Sequence, residues 1–372
     1  MMRMKERMMA ALRHEEPDIV PATVYTVLMP RGQIERESRD MGLGLVEIGF
    51  PVYGIETNNV KMQTTEEVAS FSPDDRQISL AKQKHTIQRT FSTPTGSVSE
   101  KYRWGYTLVE WPTEWAIKDL NDYEIVKSVF DEMEFFPNYD DFARATEVMG
   151  DDGIVIEMPT KSPLQHMLLE LMGYKRFALD YRMHRQEFED LYRLLYKKQL
   201  EMYRVIAESP AEVVLLGDNI TGVVTNPELF EKYCMPFYDE VAAILHKKDK
   251  IVMNHLDGKL KYLCGLIAKT KLDVIEAFTP PPIGDLPLDE ARRAWKGKTI
   301  WANFPATVYL ETGLEGVEKE TINMLKSATP GDSFLLGITE DIGDILSLEY
   351  MQILKTITTT VMKHGTYPIA GH

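Results

Sequence analysis

Short apolar runs alternate with amphipathic segments along most of this chain. Eight runs read as short strands, at 19–24, 43–50, 153–158, 212–217, 250–255, 272–278, 298–304 and 333–339. The later runs are almost continuously apolar, which is typical of strands buried on both faces of a parallel sheet. Four longer segments with helical periodicity lie between them, at 188–209, 227–248, 259–270 and 313–328. Eight strands that alternate with helices predict an α/β fold, a (β/α)8 TIM barrel spanning residues 1–372 as one domain.

The region between the second and third runs has a different pattern. Residues 60–130 alternate Thr, Tyr, Trp and Val with turn signals, and Thr95 and Gly96 between two such runs predict a β-hairpin. A helical stretch is predicted at 121–149. We therefore expect residues 60–149 to form an insertion, a hairpin followed by helices, over one mouth of the barrel.

Composition and charge limit the classes of function. The net charge of −15 at pH 7 argues against a nucleic-acid partner, because such partners are bound by cationic patches. The chain has two cysteines, Cys234 and Cys264, too few for a disulfide scaffold, which indicates a reducing, cytoplasmic location. No apolar run approaches the roughly 18–20 residues that a membrane span needs. The Met-rich start predicts an amphipathic helix that ends at His14, not a signal peptide.

Polar and charged side chains follow the predicted strands. Active sites of (β/α)8 barrels lie at the carboxyl ends of the strands, so these side chains are expected to converge. The most informative stretch is 250–258, where an apolar run ends on His255 and Asp257. The strand ends together carry Glu157, Asp218, Asn219, His255, Asp257, Glu276, Asn303, Glu340 and Asp341. One histidine among carboxylates and amides suits a metal site or a general acid–base site; alternatively, each residue caps a helix or pairs with a neighbour.

Two further residues and a set of aromatic side chains extend this candidate site. Cys234 lies 15 residues after Asn219 and 21 before His255, either as a small buried hydrophobe or as a metal ligand. His166 follows the 153–158 run and is expected to reach the barrel mouth. Aromatic side chains predict a pocket with apolar walls, although core packing explains each of them equally well: Trp301, Phe304, Phe278, Trp104, Trp111 and Trp115. Glycine-rich dinucleotide, Walker, GxSxG and CxxC motifs are absent from the sequence.

Several segments of the chain resemble the uroporphyrinogen decarboxylase superfamily. The resemblance rests on RMMAALRHEEPDIVP at 7–21, STPTGSVSEKYRW at 92–104, IKDLNDYEIV at 117–126, GDNITGVVTNPELFEKYCMPFYDEV at 217–241 and VMNHLDG at 252–258. It covers essentially the full length, and it implies the same (β/α)8 barrel.

This superfamily has two main chemistries, and the residues favour the second. True decarboxylases carry an Arg-Gln-Ala-Gly-Arg-Tyr signature that holds propionate groups, whereas the nearest stretch here, at 25–32, has the single cation Arg31. Corrinoid-dependent methyltransferases instead move a methyl group from a small donor to the Co(I) of a corrinoid protein. Their O-demethylating type has a Glu-x14-Glu-x20-His spacing, which this chain keeps with Asn219, Cys234 and His255. The segments at 301–310 and 334–343 also resemble this branch.

The resemblance implies a set of roles for these residues. It implies a zinc ion that acts as a Lewis acid and is held by His255, Cys234 and Asn219. The expected catalytic residues are His255, Glu340, Glu276 and Asp218. The expected substrate-binding residues are Asp257, Asn303, Trp301, Phe304, Phe278, Glu157 and His166. Without a metal ion, Glu340 or Glu276 would donate the proton that the leaving oxygen needs.

Partners and alternatives follow from the same resemblance. The expected methyl donor is a small molecule, with an aryl methyl ether as the first candidate. The expected partner is a small corrinoid protein that docks at the barrel mouth, and a homodimer is plausible by family analogy. Two alternatives stay open: a metal-free decarboxylase of another acid, and a barrel that binds a ligand or a corrinoid protein without turnover.

Overall fold

The chain is organised as two compact units. Unit 1 comprises Met1–Val52, Tyr139–Pro159 and Ala207–His372, and unit 2 comprises Tyr53–Asn138 and Thr160–Ile206. The structure, a computed structural model, describes residues 2–68, 85–104, 110–305, 307–340 and 347–369. Two of the residues named above fall outside this description: the side chain of Trp104 and all of Asp341.

Unit 1 is built around a barrel of eight parallel strands. These are β1 Ala22–Tyr25, β2 Leu43–Glu47, β3 Gly153–Val155, β4 Val213–Leu216, β5 Ile251–His255, β6 Val274–Phe278, β7 Thr299–Asn303 and β8 Phe334–Ile338. Each strand except β3 pairs with the next one in chain order, and β1 also pairs with β8. Glu157 bridges to Val214 in parallel and closes the ring between β3 and β4. The predicted (β/α)8 barrel and all eight of its strands are therefore confirmed.

Helices in unit 1 follow or precede the barrel strands. They are Met4–Leu12, Gln33–Met41, Asp140–Met149, Pro227–Leu229, Met235–Leu245, Cys264–Ile267, Leu288–Ala294, Thr307–Ser327 and Leu348–His364. Asn226 caps one of them, because its side chain accepts a hydrogen bond from Leu229 N at 2.9 Å. The prediction of one continuous helix at 227–248 is wrong in one respect, because Phe230–Cys234 forms a π-helical turn. Pro236 follows this turn, and a proline cannot donate the main-chain hydrogen bond of a regular α-helix.

Unit 2 contains antiparallel sheets and helices. The strands Lys61–Val68, His85–Thr93, Gly96–Trp104 and Glu110–Glu114 form a four-stranded sheet, and Tyr53–Glu56 pairs with Glu134–Pro137. The predicted hairpin is confirmed, since Thr93 pairs with Gly96 across the turn. The longer helices of this unit are Asn121–Asp131, Gly173–Met183 and Arg185–Ala207.

The bounds of unit 2 differ from those predicted for the insertion. Residues Tyr139–Pro159 belong to unit 1, and Thr160–Ile206 belongs to unit 2. The single-domain description and the location of an insertion over the barrel mouth stay predictions. Among the described residues, no helix combines the length and the apolar character needed to cross a membrane.

Two buried lysines, located just before β5 and β7, bind the segments that lead into β4 and β6. Lys250 Nζ donates to the carbonyl oxygens of Ser209 at 2.7 Å and Ala211 at 2.6 Å. Lys298 Nζ donates in the same way to Thr270 at 2.6 Å and Leu272 at 2.7 Å. Burial lowers the pKa of both ammonium groups, so each depends on the two carbonyl oxygens that replace its water.

Replacing Lys298 with methionine is expected to destabilise unit 1. The substitution keeps most of the side-chain volume but leaves two buried carbonyl oxygens without their donor, at a cost of about 2 kcal/mol. Urea unfolding followed by tryptophan fluorescence measures this difference. Lys296→Met is the matched control, because Lys296 is exposed and two residues away. Equal unfolding midpoints for the two variants would contradict the role given to Lys298.

Candidate active site

His255, Glu276 and Tyr25 form a hydrogen-bonded group that joins three strands of the barrel. His255 is the last residue of β5, and the parallel register pairs it with Glu276 on β6. His255 Nδ1 lies 2.7 Å from Glu276 Oε2. The other carboxylate oxygen, Oε1, accepts a hydrogen bond of 2.9 Å from the hydroxyl of Tyr25, the last residue of β1. The contacts of Tyr25 with Glu276 and of Glu276 with His255 fix the orientation of the imidazole ring.

The second ring nitrogen of His255 faces two further carboxyl groups. His255 Nε2 lies 2.6 Å from Glu340 Oε1. One donor atom from each of His255, Asp257 and Glu340 lies within 4.8 Å of the others. Asp257 Oδ1 is buried and has no hydrogen-bond partner among the described residues. Buried acceptors of this kind require an explanation such as an ion.

Burial and crowding of like charges perturb the titration of this cluster. Burial alone would lower the pKa of His255, but the charges of Glu276 and Glu340 outweigh it and raise that pKa well above its usual value. Burial raises the pKa of Asp257 to about 6 despite the neighbouring imidazole. Burial likewise raises the pKa of Glu157 to about 7, although its carboxylate accepts a hydrogen bond from Val52 N. Burial therefore disfavours the anion of Asp257, which a bound cation would reverse.

Asp218 belongs to a second hydrogen-bonded group after β4. Its Oδ2 accepts hydrogen bonds from Tyr238 at 2.6 Å and from Asn254 Nδ2 at 3.1 Å. Burial, with the charges of Asp218 and Cys234, raises the pKa of Tyr238 well above its usual value. Asp218 is thus a buried carboxylate held by donors on a helix and on β5.

Asn303 connects the loops that follow β6 and β8. Its Nδ2 donates to Thr279 Oγ1 at 3.2 Å, and its Oδ1 accepts from Thr339 N at 3.0 Å. Thr339 directly precedes Glu340, so these contacts position the segment that carries one carboxylate of the cluster. Asn303 therefore supports the site through its hydrogen bond with the backbone N–H of Thr339.

The aromatic residues predicted to line the pocket are packed in the interior of unit 1, whereas those in unit 2 have different environments. Trp301 donates from Nε1 to Thr23 Oγ1 at 2.9 Å and stacks on Tyr25. Phe278 packs edge-on against Trp295, and Phe304 is fully buried. In unit 2, Trp111 is half-exposed and Trp115 donates to the carbonyl oxygen of Leu169 at 2.8 Å. The positions of Trp301, Phe278 and Phe304 agree with the core-packing alternative considered from the sequence, and the exposed Trp111 does not.

The remaining predicted residues lie in different environments. Cys234 is fully buried at the end of the π-helical turn. Asn219 is exposed, with a positive φ of 52°. His166 belongs to unit 2, where Nδ1 is 2.9 Å from Thr160 Oγ1. Among described His, Cys, Asp and Glu side chains, the one group of three able to share a metal ion is His255 with Asp257 and Glu340. The structure thus brings His255 together with residues other than Cys234.

Three residues of these networks were not predicted from the sequence. Tyr25 ends the first strand, so the strand-end rule that selected His255 would also have found it. Asn254 lies within β5, and Tyr238 lies on the helix Met235–Leu245. Their inward direction depends on the packing of the barrel, and no local sequence signal reports it.

The fold and the site together define an α/β barrel with a titratable cluster at the carboxyl ends of its strands, where enzymes of this architecture have their active sites. The model of the family described as Uroporphyrinogen decarboxylase (URO-D) matches residues 154–342, just over half of the chain. The chain therefore belongs to the uroporphyrinogen decarboxylase family, as its sequence resemblance indicated.

A solved structure of a methyltransferase shares this fold. A methyltransferase from Methanosarcina mazei superposes with a TM-score of 0.57 at 12% identity, covering 98% of this chain and 99% of that chain. A B12-independent methionine synthase from Shewanella sp. W3-18-1 is more distant, with a TM-score of 0.41 and 11% identity over 94% of each chain. At these identities the similarity concerns the fold. No curated protein matches the chain by sequence.

Proposed function

We propose that this protein is a methyltransferase of the uroporphyrinogen decarboxylase family. It would move a methyl group from a small donor, with aryl methyl ethers as the first class, to the Co(I) of a corrinoid protein. The observation that carries the proposal is the cluster of His255, Asp257 and Glu340 at the strand ends. The sequence resemblance to the O-demethylating branch and the fold shared with a methyltransferase add support.

The donor set of this cluster fits a zinc ion. Catalytic zinc sites typically have three nitrogen, oxygen or sulfur ligands from the protein and one open position. Here one imidazole nitrogen and two carboxylate oxygens lie within 4.8 Å of one another. Glu276 binds the opposite ring nitrogen of His255, which is the usual arrangement behind a zinc-bound histidine. We therefore propose His255, Asp257 and Glu340 as the zinc ligands. Asp257 and Glu340 take the place of Cys234 and Asn219, the other two ligands expected from the sequence.

The charge of the site argues against an acid-rich decarboxylase substrate. The strand ends carry the carboxyl groups of Glu157, Asp218, Asp257, Glu276 and Glu340. Arg31, the single cation of the stretch 25–32, has a side chain 72% exposed and forms an ion pair of 3.2 Å with Glu35. A substrate with several carboxylates would meet repulsion that this arginine does not offset.

Demethylation of an ether requires a nucleophile for carbon and stabilisation of the departing oxygen. The Co(I) substrate supplies the electron pair that forms the new bond to the methyl carbon. The electrons of the broken carbon–oxygen bond remain on the oxygen, which takes up a proton as the alcohol or phenol leaves. Zinc, when bound, would act as a Lewis acid toward this oxygen. Glu276 and Tyr25 hold the imidazole of His255 in position, and Asn303 holds the segment before Glu340.

A transfer assay tests the proposal directly. The zinc-supplemented full chain is incubated with Co(I) cobalamin and a panel of aryl and alkyl methyl ethers. We expect loss of the Co(I) absorbance with one phenol or alcohol formed per cobalamin methylated. Release of CO2 from carboxylic acids without any methyl transfer would instead support the decarboxylase alternative. Ether binding without product would support the non-catalytic alternative, and either result would overturn the proposal.

A further inference from the structure

Unit 2 contains a cavity of about 280 Å³ that has no part in the proposed methyl transfer. All of its lining residues belong to Tyr53–Asn138 or Thr160–Ile206, so the cavity is internal to this unit. Its wall extends from Ile55, which is half-exposed, to Val98 and Leu195, which are buried. A mostly apolar cavity with a few polar groups is the usual form of a small-molecule site.

Aromatic rings form much of the wall. Five rings line the cavity: Tyr53, Phe91, Tyr102, Phe130 and Phe135. Tyr53 and Phe135 pack edge to face with ring centroids 5.9 Å apart. Phe130 packs in the same way on the imidazole of His166 at 5.4 Å. The cavity wall is thus rich in aromatic rings, and the faces of such rings attract cations through their quadrupole.

The charged groups of the lining are predominantly acidic. Glu100 and Glu170 both line the cavity. Lys198 also lines it, but its Nζ donates to the carbonyl oxygen of Met133 at 2.9 Å and lies 3.5 Å from a carboxylate oxygen of Glu201. Burial lowers the pKa of His166, which leaves that imidazole neutral near pH 7. His166 Nε2 lies 3.6 Å from a carboxylate oxygen of Glu170, but the neutral imidazole does not offset the charge of that carboxylate.

The surroundings of Glu100 show how a ligand would change its charge. Burial raises the pKa of Glu100 to about 7, and the charges of Glu170 and Glu110 act in the same direction. Arg89 and the hydroxyl of Tyr102 lower that pKa. Arg89, however, lies 4.0 Å from Glu100 and only 2.5 Å from Glu110, and it does not line the cavity. An anionic Glu100 is thus incompletely compensated by its own unit.

We propose that this cavity of unit 2 binds a small organic cation, an amine or a quaternary ammonium with apolar substituents, between its aromatic rings and the carboxylates of Glu100 and Glu170. The rings attract positive charge and shield it from water, and the carboxylates neutralise it. A neutral apolar molecule would leave the two carboxyl groups desolvated, and an anion would be repelled by them. The site is distinct from the zinc cluster, and the proposal does not depend on the proposed function.

A matched pair of probes separates charge from shape. Choline and 3,3-dimethyl-1-butanol have nearly the same shape, but the alcohol lacks the positive charge. With the full-length protein, we expect calorimetry to show choline binding at least about tenfold tighter than the alcohol. The N-methyl proton signals of bound choline should also shift upfield, because they lie against ring faces. Equal affinity of the two probes, or binding of neither, would overturn the proposal.

Variants and pH identify the carboxylates involved. Glu100→Gln and Glu170→Gln should each weaken choline binding about tenfold, whereas Glu124→Gln should not, because Glu124 is an exposed carboxylate on the same unit. Choline binding should strengthen as the pH rises through about 7, where Glu100 becomes an anion. Glu100→Gln should abolish this dependence. Unchanged affinity in both cavity variants would overturn the assignment, and the comparison of probes on the unmodified protein stands even where a variant fails to fold.

Discussion

Replacing His255 with alanine is expected to remove zinc from the protein and to slow methyl transfer by more than about 100-fold. His255 supplies the nitrogen donor of the proposed zinc site, and it is the residue on which the sequence resemblance and the strand-end cluster agree. Elemental analysis of protein purified without added metal should give about one zinc per chain before the substitution and almost none after it. The transfer assay with Co(I) cobalamin then gives the loss of rate.

The matched control for this variant is His246→Ala. His246 Nε2 lies 2.8 Å from Asp273 on an exposed surface of unit 1, so its removal should change neither zinc content nor transfer. Full transfer activity in His255→Ala would remove His255 from the mechanism. Absence of metal from the unmodified protein would remove zinc alone, and the doubly ion-paired imidazole of His255 would then be tested as a general acid.

The same metal analysis distinguishes the two ligand sets. Asp257→Asn and Glu340→Gln should lower the zinc content if the cluster seen in the structure binds the ion, whereas Cys234→Ser should retain it. The opposite pattern would restore the ligands expected from sequence spacing. Because Cys234 is fully buried, thermal unfolding of the Cys234→Ser variant must accompany this comparison.

The barrel was predictable because its strands are buried on both faces. Such strands lose the alternation of polar and apolar residues and appear as short apolar runs, which the helical segments separate. All eight runs became strands, although several of the runs were longer than the strands that formed within them. The division into two units was less predictable, since the residues of Thr160–Ile206 have the same helical periodicity as helices that surround a barrel.

The candidate site was predictable only in part, because the sequence does not show the direction in which each side chain points. The strand-end rule selects positions, and parallel register places His255 beside Glu276. Sequence spacing, however, does not report where a helical side chain points, and Cys234 is buried beside Tyr238 instead of in the cluster. Asp257 was selected as a substrate-binding residue because its position, two residues after the strand end, was visible, whereas its closeness to Glu340 depends on a loop after β8.

Glu276→Gln is expected to weaken zinc binding by about 10- to 100-fold while leaving the fold intact. The carboxylate of Glu276 makes His255 a stronger electron donor and fixes which ring nitrogen faces the other ligands. Glutamine keeps the shape and one acceptor oxygen but loses the negative charge. Competition with a chromophoric chelator measures the change in zinc affinity.

Tyr25→Phe is the companion variant, because it removes the hydroxyl that binds Glu276 and preserves the carboxylate itself. Its effect on zinc affinity should be several-fold smaller than that of Glu276→Gln, since the charge next to His255 is retained. Equal zinc affinity in Glu276→Gln and the unmodified protein would show that Glu276 does not act through His255. A larger loss in Tyr25→Phe than in Glu276→Gln would instead indicate that Tyr25 contacts the substrate or the ion directly, because its link through the carboxylate allows only the smaller effect.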